Sequence, residues 1–524
     1  MPSTPNLRDH LLNGLRDIPG TREFHIHVLV SSPRKFQGLF PYAHPRPRSY
    51  LQDVLVLLSE QSTPDSPRIF TTAIEASVYN IPTTSCAILY VSKVDTTGQS
   101  TSPSPAVTLV QSFLTYYADP TTRPVSADHL WIHLFARAQS QYLFPNSADF
   151  DGKHPLSDVK LCAWWKRVFS AVADTVGAHT DTAIRLYYIL PGFSQLEAEH
   201  SISRAAVPST SDVTERSWIY GHPYSQSDIP LPCPAPAVDL QQKCPNLGHF
   251  IPTFDDDPKS RFMDEIGLPV DGEALKSPPK KRARTTAPQS KGPAPPKNQD
   301  AEKEGQGGKE ERILGELGKV STDEFWERMS FRQECVAGAV TGFFVGGFSS
   351  SSAERAASGT SPLAPLPGQV SCQLNKRVLS SLMTALEFST VERSIKATET
   401  LEGAIRGLCE GLAPAPIPPR TAANTNARGL DRRTPEPEPS RALLAPPSTP
   451  PRRGSAYVPD VSPNPFPEPV TSLETYNSHI YGSISVRNPP LAAKSRSQEN
   501  SGVPREPAPH VTVLAVRKKK KRVE

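Results

Sequence analysis

The sequence has few cysteines and lacks the patterns that usually bind structural zinc. Its seven cysteines, at positions 86, 162, 233, 244, 335, 372 and 409, include no CxxC pair, and no HExxH motif accompanies them. A metal site is therefore not expected, and dispersed thiols in odd number are typical of a reducing compartment. The first residues also lack the apolar core of a secretion signal. These absences favour a soluble intracellular protein without a metal cofactor.

Long hydrophobic runs are missing as well. The most apolar stretch, residues 336–348, is too short and too rich in glycine to span a bilayer as a helix. The spacing of Gly342 and Gly346 imitates a packing motif of membrane helices, but a helix buried in a soluble core is the commoner case. We therefore predict a buried helix here and no membrane contact.

Neither sign of charge dominates the sequence. The 57 Lys and Arg residues nearly balance the 53 Asp and Glu residues, for a net charge of +4, so direct contact with DNA is weak at most. Two runs concentrate the basic residues, Lys280–Arg284 and Arg517–Arg522. The first follows two prolines and resembles a nuclear import signal, and the second is a further signal or a contact for DNA or acidic proteins. A solvated linker is the alternative for each.

Proline is abundant, and its distribution predicts the domain organisation. With 57 prolines and 37% hydrophobic residues, much of the chain cannot pack. Residues 270–312 have the composition of a disordered insertion, and roughly one residue in four between 413 and 470 is proline, which excludes a packed domain. We predict one folded domain over 1–412, interrupted by the insertion, and a disordered tail over 413–524. A short aromatic island at 472–486 is a candidate for docking.

Apolar spacing predicts alternating strands and helices, and hence an α/β fold. Helices are predicted at 6–15, 108–117, 161–172 (with Ser157 as N-cap) and 258–266, and order is predicted over 374–408, with a helical stripe at 378–386. Strands are predicted at 24–30, 86–91 and 130–135, with mixed patterns at 50–58 and 69–78. In the first strand His25 and His27 alternate with apolar residues. A metal pair is conceivable there, but we expect both rings on the strand's outer face.

The longest run of acidic residues is Asp255–Asp257, directly before Pro258. Asp257 is a good helix N-cap and proline suits the first helical position, while the acid complements the positive end of the helix. One interpretation is a well-capped surface helix. The other is an acidic pocket in which one carboxylate acts as a base.

Several common enzyme signatures do not occur. The sequence has no GxxxxGK[ST], no GxGxxG after a strand and no GxSxG elbow, which removes the main support for P-loop, Rossmann and α/β-hydrolase enzymes. The Q/RxxGxG/A loop of GNAT acetyltransferases is also missing.

Four motifs nevertheless occur in a characteristic order: Val91–Gly98, Ser140–Pro145, Lys153–Leu156 leading to Trp164-Trp165, and Asp256–Phe262, accompanied by Phe325-Trp326, Arg332–Glu334 and the lysine-rich C-terminus. Together they resemble fungal histone H3 lysine acetyltransferases of the regulator of Ty transposition family, structural relatives of the CBP-type acetyltransferases. The resemblance covers residues 1–412 apart from the insertion. It implies a CBP-like core, a central mixed sheet surrounded by helices, with a disordered insertion and C-terminal tail.

The resemblance implies acetyl-CoA as co-substrate. In the family a strand end and the following loop hold it, and the rest of the binding surface comes from four further segments; the corresponding residues here are Val94, Asp95, Thr96, Ser100, Thr101 and Ser102, and then Phe135, Gln139, His154, Pro155, Leu156 and Trp164. The helix N-terminus near Ser157 can offer backbone N–H groups to anionic oxygens. The family's loop usually carries arginine, whereas Gln99–Pro105 has none. Phosphate contacts must then come from backbone, hydroxyls or a lysine elsewhere.

Acetyl transfer requires a neutral lysine amine, and at a reference pKa of about 10.4 only about one amine in a thousand is neutral near pH 7.4. By resemblance Asp257 is the candidate base, with Asp256 beside it, because repulsion between two carboxylates raises one pKa. Tyr142 and Trp165 match residues that line the family's lysine channel, with core packing as the alternative. The remaining matches are Arg261 in the catalytic set and Lys259 as an autoacetylated lysine.

The implied protein is a nuclear enzyme that acetylates histone H3, at lysine fifty-six and at tail lysines, in chromatin assembly, replication and repair. Its implied partners are H3–H4 and histone chaperones of the NAP and anti-silencing types, and an acidic mouth attracts a basic histone. The alternative is a nuclear scaffold that recruits chaperones without catalysis. A Mg²⁺-dependent phosphotransferase built on the aspartate run lacks a phosphate-cradling loop.

Overall fold

The fold is described from a computed structural model of the 524-residue chain. The structure describes residues 6–206, 216–237, 244–267, 316–332, 335, 339–350, 361–410, 465–469 and 472–490. The predicted insertion, both basic runs and most of the predicted tail lie outside these ranges. Within them, no helix is both long and apolar enough to cross a membrane.

One mixed sheet of ten strands organises the described residues. The strands are Gly20–Val30 (β1), Arg34–Phe36 (β2), Ser49–Gln61 (β3), Ile69–Ile81 (β4), Cys86–Thr96 (β5), His129–Ala136 (β6), Thr182–Ile189 (β7), Trp218–Tyr220 (β8), Gly342–Ser350 (β9) and Tyr481–Asn488 (β10). Their order is β10-β1-β3-β4-β5-β6-β9-β7-β8, with β2 paired to β3. Neighbours are antiparallel except β5–β6 and β7–β8, which are parallel.

Helices cover both faces of this sheet. They are Leu7–Leu15 (α1), Ala106–Ala118 (α2), Asp158–His179 (α3), Gln195–Ala205 (α4), Pro258–Gly267 (α5), Thr322–Met329 (α6), Cys372–Thr384 (α7) and Val391–Glu410 (α8). Helices α1–α4 bury their apolar sides on one face, and α7 and α8 pack on the other. Along β5, Leu89 points into the first layer and Tyr90 into the opposite one. The predicted central mixed sheet surrounded by helices is therefore confirmed.

The predicted buried helix at 336–348 is wrong, because the part that the structure describes contains strand β9. This strand lies between β6 and β7 and is buried on both sides, so an apolar run cannot reveal its period of two. Its glycines allow close packing: a Cβ atom at Gly347 would lie 2.9 Å from the Trp131 ring. They reflect contact with aromatic side chains across the sheet rather than helix packing.

The predicted disordered tail requires correction at residues 472–488. A one-turn helix and a π-helical turn, Tyr476–Ile480, lead into β10, which pairs with β1 from His27↔Tyr481 to Gly20↔Asn488. Tyr476, Ile480 and Val486 are buried in the core. The aromatic island is thus an edge of the sheet. Its partner strand is distant in sequence, so local composition could not identify it.

The C-terminal segment also changes the environment of the β1 histidines. His25 and His27 are 2% and 0% exposed, so the expectation that they lie on an outer face is wrong. The Tyr481 hydroxyl oxygen lies 3.0 Å from His25 Nδ1, and the Tyr476 oxygen lies 3.0 Å from His27 Nε2. Burial lowers the pKa of His27 to about 3. The neutral ring therefore serves as a hydrogen-bonding partner for the C-terminal segment.

Candidate functional site

The parallel neighbours β5 and β6 part at their carboxyl ends. Their pairing ends at Val91 and Leu134, yet β5 continues to Thr96. A β-bulge at Ser92, against β4, begins this extension. Bulges re-aim the side chains of a strand, and ligands of open α/β sheets bind outside the carboxyl ends of parallel strands. The extension of β5 over residues 92–96 is therefore the natural border of a ligand site.

Asp95, near the end of this extension, is the hub of a buried network. One carboxylate oxygen accepts the backbone N–H groups of residues 142, 143 and 144 at 2.7, 2.8 and 3.1 Å. The other lies 2.9 Å from Lys153 Nζ and 2.8 Å from the Thr96 nitrogen. Asp95 is 6% exposed, and the Lys153 side chain is 5% exposed. The carboxylate thus joins three of the predicted motifs and has little capacity left for a ligand.

Gly98 brings the strand end against the third motif. Its φ is +79°, and a Cβ atom there would lie 2.6 Å from Lys153 Cα, so this contact and this conformation both require glycine. The predicted cofactor residues His154, Pro155 and Leu156 follow Lys153 and are exposed. They lead into α3, where Ser157 is the N-cap, as predicted. The segments holding residues 94–96 and 154–156 are therefore neighbours.

The loop Gln99–Pro105 connects β5 to the first turn of α2. Ser100 is half-buried, and Thr101 and Ser102 are exposed. The Gln99 side chain donates to Ser394 Oγ at 2.7 Å, which ties the start of the loop to α8. The loop therefore presents several hydroxyl groups from an anchored backbone.

The remaining predicted cofactor residues are spread around this centre. Val94 and Trp164 are half-buried and pack against the core under α2 and α3. Phe135, on β6, packs against Phe343 of β9 in a tilted arrangement, with ring centroids 4.7 Å apart. Gln139 is exposed between β6 and the 142–144 turn, outside the Asp95 network. The structure thus joins the strand end to the Lys153 segment, but it does not tie Gln139 to them.

Asp257 is enclosed rather than open to solvent. It is 1% exposed; one oxygen accepts the Lys259 N–H at 2.9 Å, and the other forms an ion pair with Lys259 Nζ. The predicted N-cap of α5 is present in this geometry. Lys259 is 3% exposed, and its Nζ lies 4.7 Å from the centroid of Phe343 and 5.7 Å from that of Phe254. In this arrangement Asp257 cannot contact an incoming amine.

Asp256 is the accessible neighbour. Its side chain is 82% exposed, and one oxygen lies 3.6 Å from Nζ of Lys93, on the β5 extension. Its φ is +60°, a value that aspartate tolerates better than most residues. Lys93 in turn lies 2.8 Å from Glu75. The exposed carboxylate is thereby held beside the part of β5 that borders the predicted site.

Phe254 anchors the acidic run on the sheet. Its ring stacks on Tyr90 of β5 with a centroid distance of 4.1 Å and an interplanar angle of 5°. Its backbone N–H donates to Ser260 Oγ at 2.7 Å, which closes the turn before α5. Burial raises the pKa of Tyr90 and lowers that of His133, the other ring against Phe254, so both stay neutral. Phe254 therefore fixes the start of the acidic run against β5.

Tyr142 is half-buried, and its hydroxyl donates to the carbonyl oxygen of Arg137. Burial is the main cause that raises its pKa, to about 12. The phenol remains protonated near neutral pH and is already engaged by a backbone acceptor. In this geometry it stabilises the turn that Asp95 holds. Arg261, the other predicted member of the catalytic set, is exposed on α5.

The adjacent tryptophans of α3 have different environments, as their 100° separation requires. Trp165 is 4% exposed and belongs to the core. Trp164 is half-buried, and its ring makes an edge contact with Trp165 at 4.6 Å between centroids. The core alternative therefore fits Trp165, and Trp164 remains the candidate for ligand contact.

We expect Trp165→Ala to destabilise the protein by about 3–5 kcal/mol, because it leaves a cavity in the core. Trp164→Ala should cost less stability and should raise the KM for acetyl-CoA. Thermal unfolding and steady-state kinetics on both variants test this, with Trp164→Phe as the conservative control. A Trp165→Ala protein of normal stability with a reduced kcat would restore the lysine-channel assignment.

Three residues of the site received no role from the sequence, although two of them, Lys93 and Lys153, lie in the quoted motifs. Lys153 forms the buried ion pair with Asp95, Lys93 holds Asp256, and Phe254 seats the acidic run. A lysine gives no local signal of burial, since lysines are mostly exposed. Among the described residues no group of three His, Cys, Asp or Glu side chains is arranged to hold a metal ion.

Comparison with known proteins agrees with this architecture. Residues 119–403 match the histone acetyltransferase KAT11-type domain. The chain is 31% identical over 306 residues to histone acetyltransferase rtt109 of Aspergillus flavus, covering 53% of this chain and 45% of that protein. It is 25% identical over 329 residues to the Schizosaccharomyces pombe rtt109, covering 62% and 67%. The crystal structure of Rtt109 from Aspergillus fumigatus shares the fold, with a TM-score of 0.53 at 23% identity, and covers 76% of this chain and 96% of that one.

Proposed function

Because the chain belongs to the family of histone acetyltransferases with a KAT11-type domain, we propose that it transfers the acetyl group of acetyl-CoA to lysine side chains of histone H3. The observation that carries the proposal is the parting of β5 and β6, with Asp95 joining the strand end to the 142–144 turn and to Lys153. This arrangement makes a rigid rim at the carboxyl ends of two parallel strands, where ligands of such sheets bind.

Acetyl-CoA fits the chemistry of this rim. The loop Gln99–Pro105 offers hydroxyl groups and leads into the N-terminus of α2, where backbone N–H groups favour anionic oxygens. Trp164 and Leu156 offer apolar surface for the pantetheine arm, and both are partly accessible. Asp95 contributes by fixing the rim rather than by touching the cofactor. No metal takes part in this proposal.

In the transfer step the lysine nitrogen attacks the thioester carbonyl, a C–N bond forms, the C–S bond breaks, and CoA leaves as the thiolate. The amine must give up a proton, and an accessible carboxylate can accept it. We assign this role to Asp256, which is exposed beside Lys93, and a positioning role to Asp257, which is enclosed with Lys259. An acidic rim also attracts basic histone segments.

Asp256→Asn and Asp257→Asn should therefore behave differently. Asp256→Asn should lower kcat by about tenfold or more while changing the free energy of unfolding by no more than about 0.5 kcal/mol. Asp257→Asn should cost about 3–5 kcal/mol, because it leaves the Lys259 charge buried without its partner. Acetyl transfer rates and chemical denaturation measure the two effects.

The double variant Asp257→Asn/Lys259→Met separates charge pairing from catalysis. If Asp257 only balances Lys259, the second substitution should recover stability and much of the activity. Recovered stability with activity still abolished would instead assign the base to Asp257.

Acetylation of Lys259, which would remove the same charge, should be detectable by mass spectrometry after incubation with acetyl-CoA.

We further propose that the protein acts in the nucleus on H3–H4, with lysine fifty-six of H3 and tail lysines as acceptors, and with histone chaperones as partners. The two basic runs outside the described residues support nuclear import. A radiolabelled acetyl-CoA assay on H3–H4, with and without NAP-type or anti-silencing-type chaperone, tests this. Acetyl-CoA binding without transfer under every condition would favour the scaffold.

A further inference from the structure

Arg22 is a buried arginine of β1 that the sequence motifs do not include. Its side chain is 1% exposed, and its nearest charged partner is Glu60 of β3, with Nη1 3.2 Å from Oε1. The Glu60 side chain is 4% exposed. A buried ion pair is costly unless further hydrogen bonds satisfy both groups, so the other contacts of this guanidinium show what holds it.

Those contacts lead to the loop Gln99–Pro105. Arg22 Nη1 donates to the carbonyl oxygen of Thr101 at 2.7 Å and to its hydroxyl at 2.9 Å. Nη2 donates to the carbonyl oxygen of Pro103 at 2.9 Å and to that of Pro19 at 3.0 Å. Because a guanidinium is planar and its donors are fixed, it sets the relative positions of its acceptors. Arg22 thus fixes two peptide groups in the middle of the loop.

Glu60 completes this clamp from the other side. Its Oε1 accepts the backbone N–H of Thr101 at 3.2 Å, so one residue of the loop is held at its nitrogen, its hydroxyl and its carbonyl oxygen. Pro103 and Pro105 have no N–H and restrict the backbone further. Together with the Gln99 bond to Ser394, these contacts anchor the loop at several points.

Direct contact between Arg22 and a cofactor phosphate does not fit this geometry. The guanidinium is enclosed, and both of its terminal nitrogens already donate to protein acceptors. The outer side of the loop, by contrast, exposes Ser102 and Ser104 and continues into α2. The arginine lies behind the loop, on the side away from solvent.

We propose that Arg22, clamped with Glu60, is a positioning residue for acetyl-CoA: it holds the arginine-free loop in the shape that presents hydroxyl and backbone donors to the phosphates of the cofactor. The inference rests on the proposed function, since it needs the loop to bind acetyl-CoA. Arg22 thus acts by holding the backbone of the loop, whereas the arginine of the family that the sequence resembles lies in the loop itself.

The test compares two acetyl donors, acetyl-CoA and S-acetylpantetheine, which lacks the nucleotide and its phosphates. In Arg22→Met the kcat/KM for acetyl-CoA should fall about tenfold or more, as expected for the loss of several hydrogen bonds that hold the loop. The kcat/KM for S-acetylpantetheine should change less than twofold by the same reasoning, since that donor does not need the loop. Relative to Arg22→Met, Arg22→Lys should recover part of the preference for acetyl-CoA over S-acetylpantetheine.

Arg123 is the matched control. Over the whole residue, Arg123 is 4% exposed, as is Arg22. It also donates to three backbone carbonyls, those of Tyr117, Ala118 and Ala127, but at the opposite end of α2. Arg123→Met should lower stability without changing the preference between the donors. If Arg22→Met does not fold, Arg22→Lys and Glu60→Gln carry the same comparison.

The outcomes separate the two proposals. A wild-type protein that neither binds acetyl-CoA in calorimetry nor uses either donor overturns the proposed function. An active wild-type protein whose donor preference is unchanged in the Arg22 and Glu60 variants overturns the positioning role alone. If Arg123→Met lost the preference for acetyl-CoA to the same extent, general destabilisation would explain the effect of Arg22→Met. That result would also overturn the positioning role.

Discussion

Ending the chain after residue 412 should leave a protein that is largely unfolded or aggregated, whereas ending it after residue 490 should leave a folded one. The shorter chain loses Tyr476, Ile480 and Val486 from the core, at about 1.5–3 kcal/mol for each buried side chain. It also exposes His25 and His27 and leaves the edge of β1 unpaired. These losses approach the whole stability of a typical domain, about 5–15 kcal/mol.

Circular dichroism and thermal unfolding of the two truncated proteins measure this difference. A third variant, with residues 413–460 deleted and 472–490 kept, is the control, because it shortens the chain without removing the segment that pairs with β1. The variant Tyr476→Phe removes one hydroxyl and should cost far less than the truncation. A stable, cooperative protein ending at 412 would show that the segment only rests on the sheet.

Asp95→Ala should be the most damaging single substitution at the site. It leaves the buried Lys153 ammonium without its partner, which costs about 3–5 kcal/mol. It also removes the acceptor for three backbone N–H groups of the 142–144 turn, at about 1–3 kcal/mol for each group that stays unsatisfied. We expect loss of acetyl transfer together with a large fall in the unfolding free energy.

A double-mutant cycle with Lys153→Met separates the parts of this effect. Asp95→Asn keeps an acceptor for the turn but removes the charge, so Asp95→Asn/Lys153→Met should be more stable than Asp95→Asn alone. Denaturation curves give the coupling energy, and the KM for acetyl-CoA reports the shape of the rim. Additive effects of the two substitutions, within about 0.5 kcal/mol, would contradict an energetic link between these groups.

Sequence periodicity predicted the elements that have one apolar face. Helices α1, α2 and α5 follow their predicted ranges within two residues because each buries one side and caps its start with a recognisable residue or proline. Order was predicted over 374–408, with a helical stripe at 378–386, and this region forms α7 and α8. Strand β9 was missed because both of its faces are buried, which removes the alternation that identifies a strand.

The site was predictable as a set of segments but not as a set of roles. The resemblance assigned Asp95 to the cofactor surface and Tyr142 to the lysine channel; in the structure the Tyr142 backbone N–H donates to Asp95, which also pairs with Lys153. The resemblance could not show that Asp257 is enclosed, since that depends on Phe343 from a strand about eighty residues away, and such tertiary packing overrides local pattern. The role proposed for Arg22 was equally invisible, because the loop that it contacts is distant in sequence.

The pairing of β1 with β10 also sets the order in which the protein can be completed during synthesis. The Asn6 side chain donates to the Ser478 carbonyl oxygen across 472 positions of sequence. On the ribosome, β1 therefore emerges long before its outer neighbour and keeps an unpaired edge until residues 481–488 have been made. Contacts of such separation slow folding, and exposed strand edges favour aggregation. The newly made chain should consequently depend on chaperones until β10 has been made.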